Sequence, residues 1–168
     1  MIARYKNHEP RIDPSAFIAP TASVVGRVEI GADSSVWFNA TIRGDNHPVR
    51  IGRATSVQDN AMIHDKTVVG DFVTIGHGAI LHACTVHNDV LIGMGSIILD
   101  DADIGEGAII AAGSVVKVGT VVPPRTLFAG NPAVWKKDLN EDTLLINHQH
   151  AIEYIQYTAE YRGAGERE

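Results

Sequence analysis

The sequence predicts an all-β solenoid, a parallel β-helix built from six-residue units and followed by a single α-helix. Three observations support this fold class. Apolar residues recur at every sixth position between Ile18 and Phe128, most of them are β-branched, and the six-residue period ends after Pro132. A six-residue repeat with β-branched residues at one position is typical of a β-helix in which each unit forms one side of a triangular coil.

The repeat is long enough to exclude chance as its cause. It is interrupted by a nine-residue step after Ile42 and a five-residue step after Leu81. In a chain that is 45% hydrophobic, such a series would be wholly apolar about once in four million fixed frames. Three units, eighteen residues, make one predicted turn. The repeat positions are Ile18, Val24, Ile30, Val36, Ile42, Ile51, Val57, Ile63, Val69, Ile75, Leu81, Val86, Ile92, Ile98, Ile104, Ile110, Val116, Val122 and Phe128.

Glycine often follows the repeat residue directly. A residue without a Cβ suits a tight bend, so we expect these glycines to mark the bends of the coil. They are Gly31, Gly52, Gly70, Gly76, Gly93 and Gly105.

The pattern after the repeat predicts a helix. Asn140 suits its N-cap, and apolar residues then recur at helical intervals. We predict a β-helix domain at 1–134, a C-terminal helix at 135–163 that packs on the prism, and a disordered tail at 164–168. The residues expected to form the apolar face of the helix are Leu145, Ile152, Ile155 and Ala159. We expect three tyrosines to pack the helix against the prism or to reach over a functional site: Tyr154, Tyr157 and Tyr161.

Composition and charge exclude several classes of function. A net charge of -6 and a pI near 5.7 argue against nucleic acid as a partner. No apolar run is long enough to cross a bilayer, and the N-terminus has no apolar signal region, which predicts no membrane partner and a cytoplasmic location. Cys84 is the single cysteine, which excludes an internal disulfide and a C-x-x-C metal motif.

Three histidines occupy related positions of the repeat. His64 and His82 each follow a repeat residue and lie one coil apart, so we expect them to stack about 4.8 Å apart and to share a metal ion. His77 lies on the preceding side of the coil and points away from them. We expect a neighbouring subunit to supply it, and three-fold packing would create three equivalent sites.

Polar residues accompany both positions. Arg43 is predicted to lie below the column of His64 and His82. Gln58 and Asp59 are predicted one coil below His77, with Asp59 directly beneath it. The two halves would meet between subunits.

These segments resemble known proteins. The repeat at about residues 10 to 134 resembles the hexapeptide-repeat family, which implies a left-handed coil. "RGD" at 43 to 45, "VQDNAMIH" at 57 to 64 and "IGHGAILH" at 75 to 82 resemble the γ-class carbonic anhydrases. This resemblance implies a homotrimeric lyase in which zinc, or iron, binds His64, His77 and His82 at the subunit interfaces.

The resemblance also implies roles for the remaining residues. Gln58 would position the metal-bound water, and Arg43 with Asp45 would bridge subunits. Asp45 and Asp59 would either orient Arg43 and a histidine ring or transfer protons. The reaction implied is the reversible hydration of carbon dioxide to bicarbonate by a metal-bound hydroxide.

One departure from the family pattern concerns the rate. The chain runs "IHDKTVVGDF" into the next coil without the acidic loop and the proton-shuttling glutamate of the founding type. We therefore expect slow carbon dioxide hydration. Three alternatives stay open: a hexapeptide acyltransferase, a thioesterase acting on small acyl-CoA, and a purely structural trimer.

The remaining histidines are expected at the surface. His87 is the one we consider as an alternative proton carrier. The others are His8, His47, His148 and His150.

Overall fold

The computed structural model describes residues 1–164. The predicted tail at 164–168 lies outside the described residues, apart from the backbone of Ala164 at the end of the helix. Within residues 1–164 no helix combines the length and the apolar character needed to cross a bilayer.

Twenty strands, most of them short, and one helix are found within residues 1–164. The strands are β1 (Ile2–Ala3), β2 (Arg11–Ile12), β3 (Phe17–Ile18), β4 (Ser23–Ile30), β5 (Ser35–Val36), β6 (Thr41–Ile51), β7 (Ser56–Val57), β8 (Met62–His64), β9 (Val68–Val69), β10 (Thr74–Ile75), β11 (Ile80–His82), β12 (Thr85–Val86), β13 (Leu91–Ile92), β14 (Ile97–Ile98), β15 (Asp103–Ile104), β16 (Ile109–Ile110), β17 (Val115–Val116), β18 (Val121–Val122), β19 (Thr126–Gly130) and β20 (Ala133–Asp138). The helix is α1 (Glu141–Ala164).

The strands form a left-handed β-solenoid of about 7 turns with three flat faces. Face 1 contains β1, β8, β11, β14 and β17, and face 2 contains β2, β9, β12, β15 and β18. Face 3 contains β3, β5, β7, β10, β13, β16, β19 and β20. The long strands β4 and β6 turn the corner from face 1 to face 2 and belong to both. The predicted solenoid with one C-terminal helix is confirmed.

The register of the strands explains the two interruptions of the repeat. Leu81 pairs with Ile63, eighteen residues earlier, as the uninterrupted repeat requires. Ile63 pairs with Ile42 across twenty-one residues, and Ile98 pairs with Leu81 across seventeen. Both irregular steps are absorbed at the corner between face 1 and face 2, so the inward side chains stay aligned.

The prism is filled by the repeat residues. All of them are buried except Ile18, which lies in the first coils of the prism and is half-buried. Burial of each Ile or Val side chain contributes about 1.5–3 kcal/mol before the loss of chain entropy is subtracted. This core fixes the position of the strands whose apolar side chains point inward. The polar side chains at the corners of the coil are therefore also held in fixed positions.

The glycines that follow the repeat residues are required for a different reason from the one predicted. A Cβ built on Gly76 would lie 2.7 Å from the backbone nitrogen of Met94 in the next coil. These glycines permit close stacking of coils, and the bends with positive φ fall elsewhere, at residues such as Gly78 and Asn60.

The solenoid ends in a strand that the sequence did not predict. Residues 133–138 form β20, which is antiparallel to β19, so the helix begins later than the predicted boundary at 135. The side-chain oxygen of Asn140 accepts a hydrogen bond from the backbone N–H of Thr143 at 3.1 Å. Asn140 is therefore the N-cap of α1, as predicted.

The helix packs on face 3 with a face that matches the predicted one only in part, since Ile152 and Ile155 are half-buried but Ala159 is exposed. Leu145 is 66% exposed, whereas Asn147, Ala151 and Thr158 are buried. The amide of Asn147 donates to the carbonyl oxygen of Asp89 at 3.2 Å, and the ring of His148 pairs with the Asp89 carboxylate at 2.7 Å. Polar contacts at the rim of face 3 thus select which side of α1 is buried.

Aromatic contacts hold the C-terminal half of α1. Tyr154 and Tyr161 pack edge-on against Trp37, with ring centroids 5.6 and 5.2 Å away. Edge-to-face packing is favourable because the positive edge of one ring meets the negative face of the other. The N-terminal half of the helix is therefore held to the prism through Asp89 and the C-terminal half through Trp37.

Candidate metal centre

His64 and His82 form a stacked pair at the edge between faces 1 and 2. They end β8 and β11 and are partners in the parallel ladder, with Arg43 in register one coil below. Their ring centroids are 5.2 Å apart and the rings are inclined by 52°. The stacking expected from the eighteen-residue spacing is what the structure shows.

Each ring of the pair is held by a carboxylate. Nε2 of His64 lies 2.8 Å from Oδ1 of Asp45, and Nδ1 of His82 lies 2.6 Å from Oδ1 of Asp100. The other ring nitrogens, Nδ1 of His64 and Nε2 of His82, remain available. Carboxylates in this position fix the orientation and the tautomer of an imidazole that binds a metal.

Arg43 supports the first of these carboxylates. Its guanidinium lies 3.3 Å from Oδ2 of Asp45 within the same chain. The contact with His64 lowers the pKa of Asp45, and the charge of Arg43 acts in the same direction. Asp45 is therefore an anion when it orients His64. The predicted bridge between subunits stays a prediction.

His77 lies at the opposite edge of face 1. It occupies a turn between β10 and β11 in which Gly78 has a φ of 67° and the N–H of Ala79 donates to the carbonyl of Gly76. Positive φ at this position suits glycine. The turn presents the His77 ring outward at the corner between faces 3 and 1, and not on the flat of the preceding side.

Asp59 and Gln58 hold His77 from the coil below. Nδ1 of His77 lies 2.8 Å from Oδ2 of Asp59, which leaves Nε2 available. The backbone N–H of His77 donates to Oε1 of Gln58 at 3.2 Å, and Gln58 is only 5% exposed. The predicted placement of Asp59 beneath His77 is thus observed.

A single chain does not bring the three histidines together. Among residues 1–164 there is no group of three or more His, Cys, Asp or Glu side chains placed to hold a metal ion. The pair formed by His64 and His82 is separated from His77 by the width of face 1. The structure contains two half-sites on opposite edges of one face.

The donor set fits a transition metal. Each of the three imidazoles has one nitrogen paired with a carboxylate and one nitrogen available, which is the usual environment of a histidine bound to zinc. Imidazole ligands suit zinc and iron, and three of them leave an open position in a tetrahedral site. The sequence analysis did not identify Asp100, because the residue in register with His82 is Leu99. The signal that could have identified Asp100 is its separation of eighteen residues, one coil, from His82.

Three of the other histidines make contacts outside the two half-sites. His87 pairs with Asp103 at 2.8 Å on the exposed surface. His47 pairs with Asp65 at 2.5 Å next to the stacked pair. His148 is not merely solvated, as predicted, because it is stacked on Phe72 at 4.1 Å and fastens α1 to the prism.

Comparison with known proteins agrees with the fold and the repeat. Residues 83–117 match the family described as "Bacterial transferase hexapeptide (six repeats)". A hexapeptide transferase family protein from Anaplasma phagocytophilum has a similar structure, with a TM-score of 0.93 and 41% identity over 95% of this chain and 97% of that one.

Two carbonic anhydrases are similar in sequence. A carbonic anhydrase of Geobacillus kaustophilus is 45% identical over 96% of this chain and 91% of its own length. The mitochondrial gamma carbonic anhydrase 2 of Arabidopsis thaliana is 38% identical over 87% of this chain, which spans only 56% of that longer protein. The chain therefore belongs to the hexapeptide-repeat family and is related within it to the gamma carbonic anhydrases.

Proposed function

We propose that this protein is a metal-dependent enzyme of the γ-carbonic anhydrase type, which hydrates carbon dioxide reversibly at the interfaces of a homotrimer. The observation that carries the proposal is the pair of half-sites on face 1. Three imidazoles, of His64, His77 and His82, are each oriented by a carboxylate and each keep one nitrogen available. The similarity to carbonic anhydrases supports the same reading.

A trimer completes the site. His64 and His82 lie at one edge of face 1 and His77 lies at the other, so a cyclic arrangement with face 1 toward the axis brings unlike edges together at every interface. Three such contacts close the ring and leave no half-site unused. The expected mass is about 54 kDa, three times the 18.1 kDa of one chain.

Zinc is the metal we propose, with iron as the alternative. When bound by three neutral imidazoles, such an ion supplies the Lewis acidity that makes water nucleophilic near neutral pH. Carbon dioxide and bicarbonate are the proposed substrate and product. The cytoplasmic location stays a prediction.

The residues of the chain position the reacting groups. Asp45, Asp100 and Asp59 hold the three rings, and the contact with His64, together with the charge of Arg43, lowers the pKa of Asp45. Gln58 uses Oε1 to accept the N–H of His77, which leaves its amide Nε2 to donate to a water molecule or an oxygen of the substrate. We propose that Asp45 and Asp59 orient histidine rings and do not transfer protons, since each carboxylate is already paired with a ring.

The connection after His64 bears on the rate. Only Asp65, Lys66 and Thr67 separate β8 from β9, and none of them is a glutamate. Lys66 is paired with Asp101 at 2.7 Å. Proton transfer to buffer or to a solvent-exposed group would therefore limit turnover.

The test is metal content followed by carbon dioxide hydration on the same sample. Protein purified without added metal should contain one zinc or iron per chain and should hydrate carbon dioxide measurably. His77→Ala should lose both, whereas the control His87→Ala, which removes an exposed and equally carboxylate-paired histidine, should keep its metal. Metal-free wild-type protein that takes up no zinc or iron when these are added would refute the proposal.

Acyl transfer is the second candidate. It is favoured by the match to a transferase repeat family and by the solved structure described as a hexapeptide transferase family protein. An acyltransferase of this fold, or a thioesterase acting on small acyl-CoA, would bind coenzyme A. Saturable binding of acetyl-CoA by metal-free protein, with hydration absent after zinc or iron has been added, would favour it over the first proposal.

A further inference from the structure

A pocket lined mainly by aromatic rings lies where the C-terminal half of α1 meets the turns that follow β5 and β7. Its volume is about 300 Å³, which is room for about ten non-hydrogen atoms at roughly 30 Å³ each. All but one of the lining residues are aromatic, and the exception is an aspartate. They are Trp37, Phe38, Asp59, Tyr154, Tyr157 and Tyr161. The pocket therefore adjoins the half-site of His77 through Asp59 and is not lined by a proposed metal ligand.

The rings stand as walls and not as a flat stack. Tyr154 and Tyr161 are inclined to Trp37 by 75 and 80°, with ring centroids 5.6 and 5.2 Å away. Tyr157 is inclined to Tyr154 by 84°, with a centroid distance of 5.4 Å. Trp37 is 5% exposed, whereas Tyr157 and Tyr161 are 45% and 50% exposed. The deep wall is thus fixed by packing, and the outer walls can be reached by a ligand from solvent.

Asp59 gives the pocket a negative charge. Its Oδ2 lies 2.8 Å from Nδ1 of His77, but the side chain of Asp59 stays 33% exposed, so that contact does not enclose the carboxylate. Burial raises the pKa of Tyr154, and the charges of Asp59 and Glu153 act in the same direction. Tyr154 is therefore a neutral ring at neutral pH in a negative potential. Among the described residues no Lys or Arg lines the pocket to balance this charge.

Aromatic rings and a carboxylate together form the environment of an organic cation. The face of an aromatic ring carries negative charge density, and several rings around one quaternary ammonium group are a well-established use of this attraction. An anion would be repelled by Asp59, and a neutral apolar molecule would cover the carboxylate without giving it a partner. The lining therefore favours a methylated ammonium ion over an anionic or a neutral ligand.

We infer that this pocket binds a small quaternary ammonium compound, with its methyl groups against the rings and its positive nitrogen near the Asp59 carboxylate. The lining residues all belong to one chain, and none of them is a proposed metal ligand. The inference therefore goes beyond the proposed hydration of carbon dioxide and does not rest on it.

The experiment titrates choline into the full chain by calorimetry, first as purified and again after metal has been removed by chelation. Dimethylbutanol, in which a carbon replaces the charged nitrogen of choline, is the neutral probe of the same shape. Choline should bind saturably in both preparations. It should bind at least about fivefold more tightly than dimethylbutanol, the ratio expected when a cation contacts aromatic faces.

Two pocket variants and one control test the lining. Tyr157→Leu removes an exposed ring and keeps an apolar side chain, so choline affinity should fall about fivefold. Asp59→Asn keeps the shape of the side chain and removes its charge, so choline affinity should fall about tenfold while dimethylbutanol affinity changes little. Tyr5→Leu is the control, because Tyr5 is 39% exposed and lies outside the pocket. It should bind choline as the wild type does.

Circular dichroism establishes that each variant is folded, and either pocket variant suffices if the other does not fold. Absence of saturable choline binding to the wild type would overturn the inference. So would binding that disappears when metal is removed, equal affinity for dimethylbutanol, unchanged choline affinity in a folded pocket variant, or an equal loss in Tyr5→Leu. None of these outcomes requires carbon dioxide hydration, so failure here is distinguishable from failure of the proposed function.

Discussion

The separation of His77 from the stacked pair allows a complementation experiment. His77→Ala removes one half-site ligand, and His64→Ala removes a ligand from the other half-site. Homotrimers of either variant lack a ligand at every interface and should bind metal poorly. When the two variants are unfolded and refolded together, a mixed trimer should regain a complete site.

The arrangement of the half-sites determines how much is regained. In a cyclic trimer each interface joins the pair of one subunit to the His77 of the next. Any mixed ring then contains one interface with all three ligands, one that lacks two, and one that lacks one. Six of eight equally probable rings are mixed, so equal mixing should restore about a quarter of wild-type metal sites.

The assay measures zinc per chain by mass spectrometry after refolding, together with carbon dioxide hydration. Light scattering and differently tagged variants establish that mixed trimers have formed. A control mixture of His77→Ala with Leu145→Ala, which changes an exposed helix residue, should show more than a quarter because one partner is intact. Mixed trimers with no regained metal would refute the sharing of a site between subunits.

Three further expectations concern rate, reactivity and packing. Hydration should rise with buffer concentration at neutral pH, because no glutamate follows His64 before β9; a fast rate independent of buffer would contradict this. Burial raises the pKa of Cys84 to about 12, so at pH 8 its thiol should stay protonated and unreactive toward Ellman's reagent until the protein is unfolded. Leu81→Ala, at a side chain that is fully buried, should lower the free energy of unfolding by about 2–5 kcal/mol, whereas Val121→Ala, at a side chain 69% exposed, should change it little by denaturant titration.

Much of the site could be predicted because the solenoid converts sequence distance into spatial distance. Once one coil is eighteen residues, His64 and His82 must stack and Asp59 must lie under His77. This reasoning did not identify Asp100 as the partner of His82. The five-residue step after Leu81 shifts the register by one residue, and the side chain of Asp100 reaches His82 from the position after its partner.

The helix shows the opposite case. Its existence and its N-cap at Asn140 follow from local rules, since capping depends on residues within one turn. Its orientation does not. The apolar residues of α1 suggested a buried Leu145, but Asn147 and His148 turn toward Asp89, which lies 58 and 59 residues away in the chain.

The solenoid, the stacked histidine pair and the separation of His77 follow from the amino-acid sequence, because an apolar core with a fixed period forces residues at equal spacing onto one line. The partner of His82 and the buried side of α1 are set by tertiary packing. These depend on contacts between elements that share no period. Asp100 reaches His82 from outside the register, and α1 meets face 3 through groups at its rim. Periodicity therefore placed the three histidine side chains, and packing without periodicity shaped the surface around them.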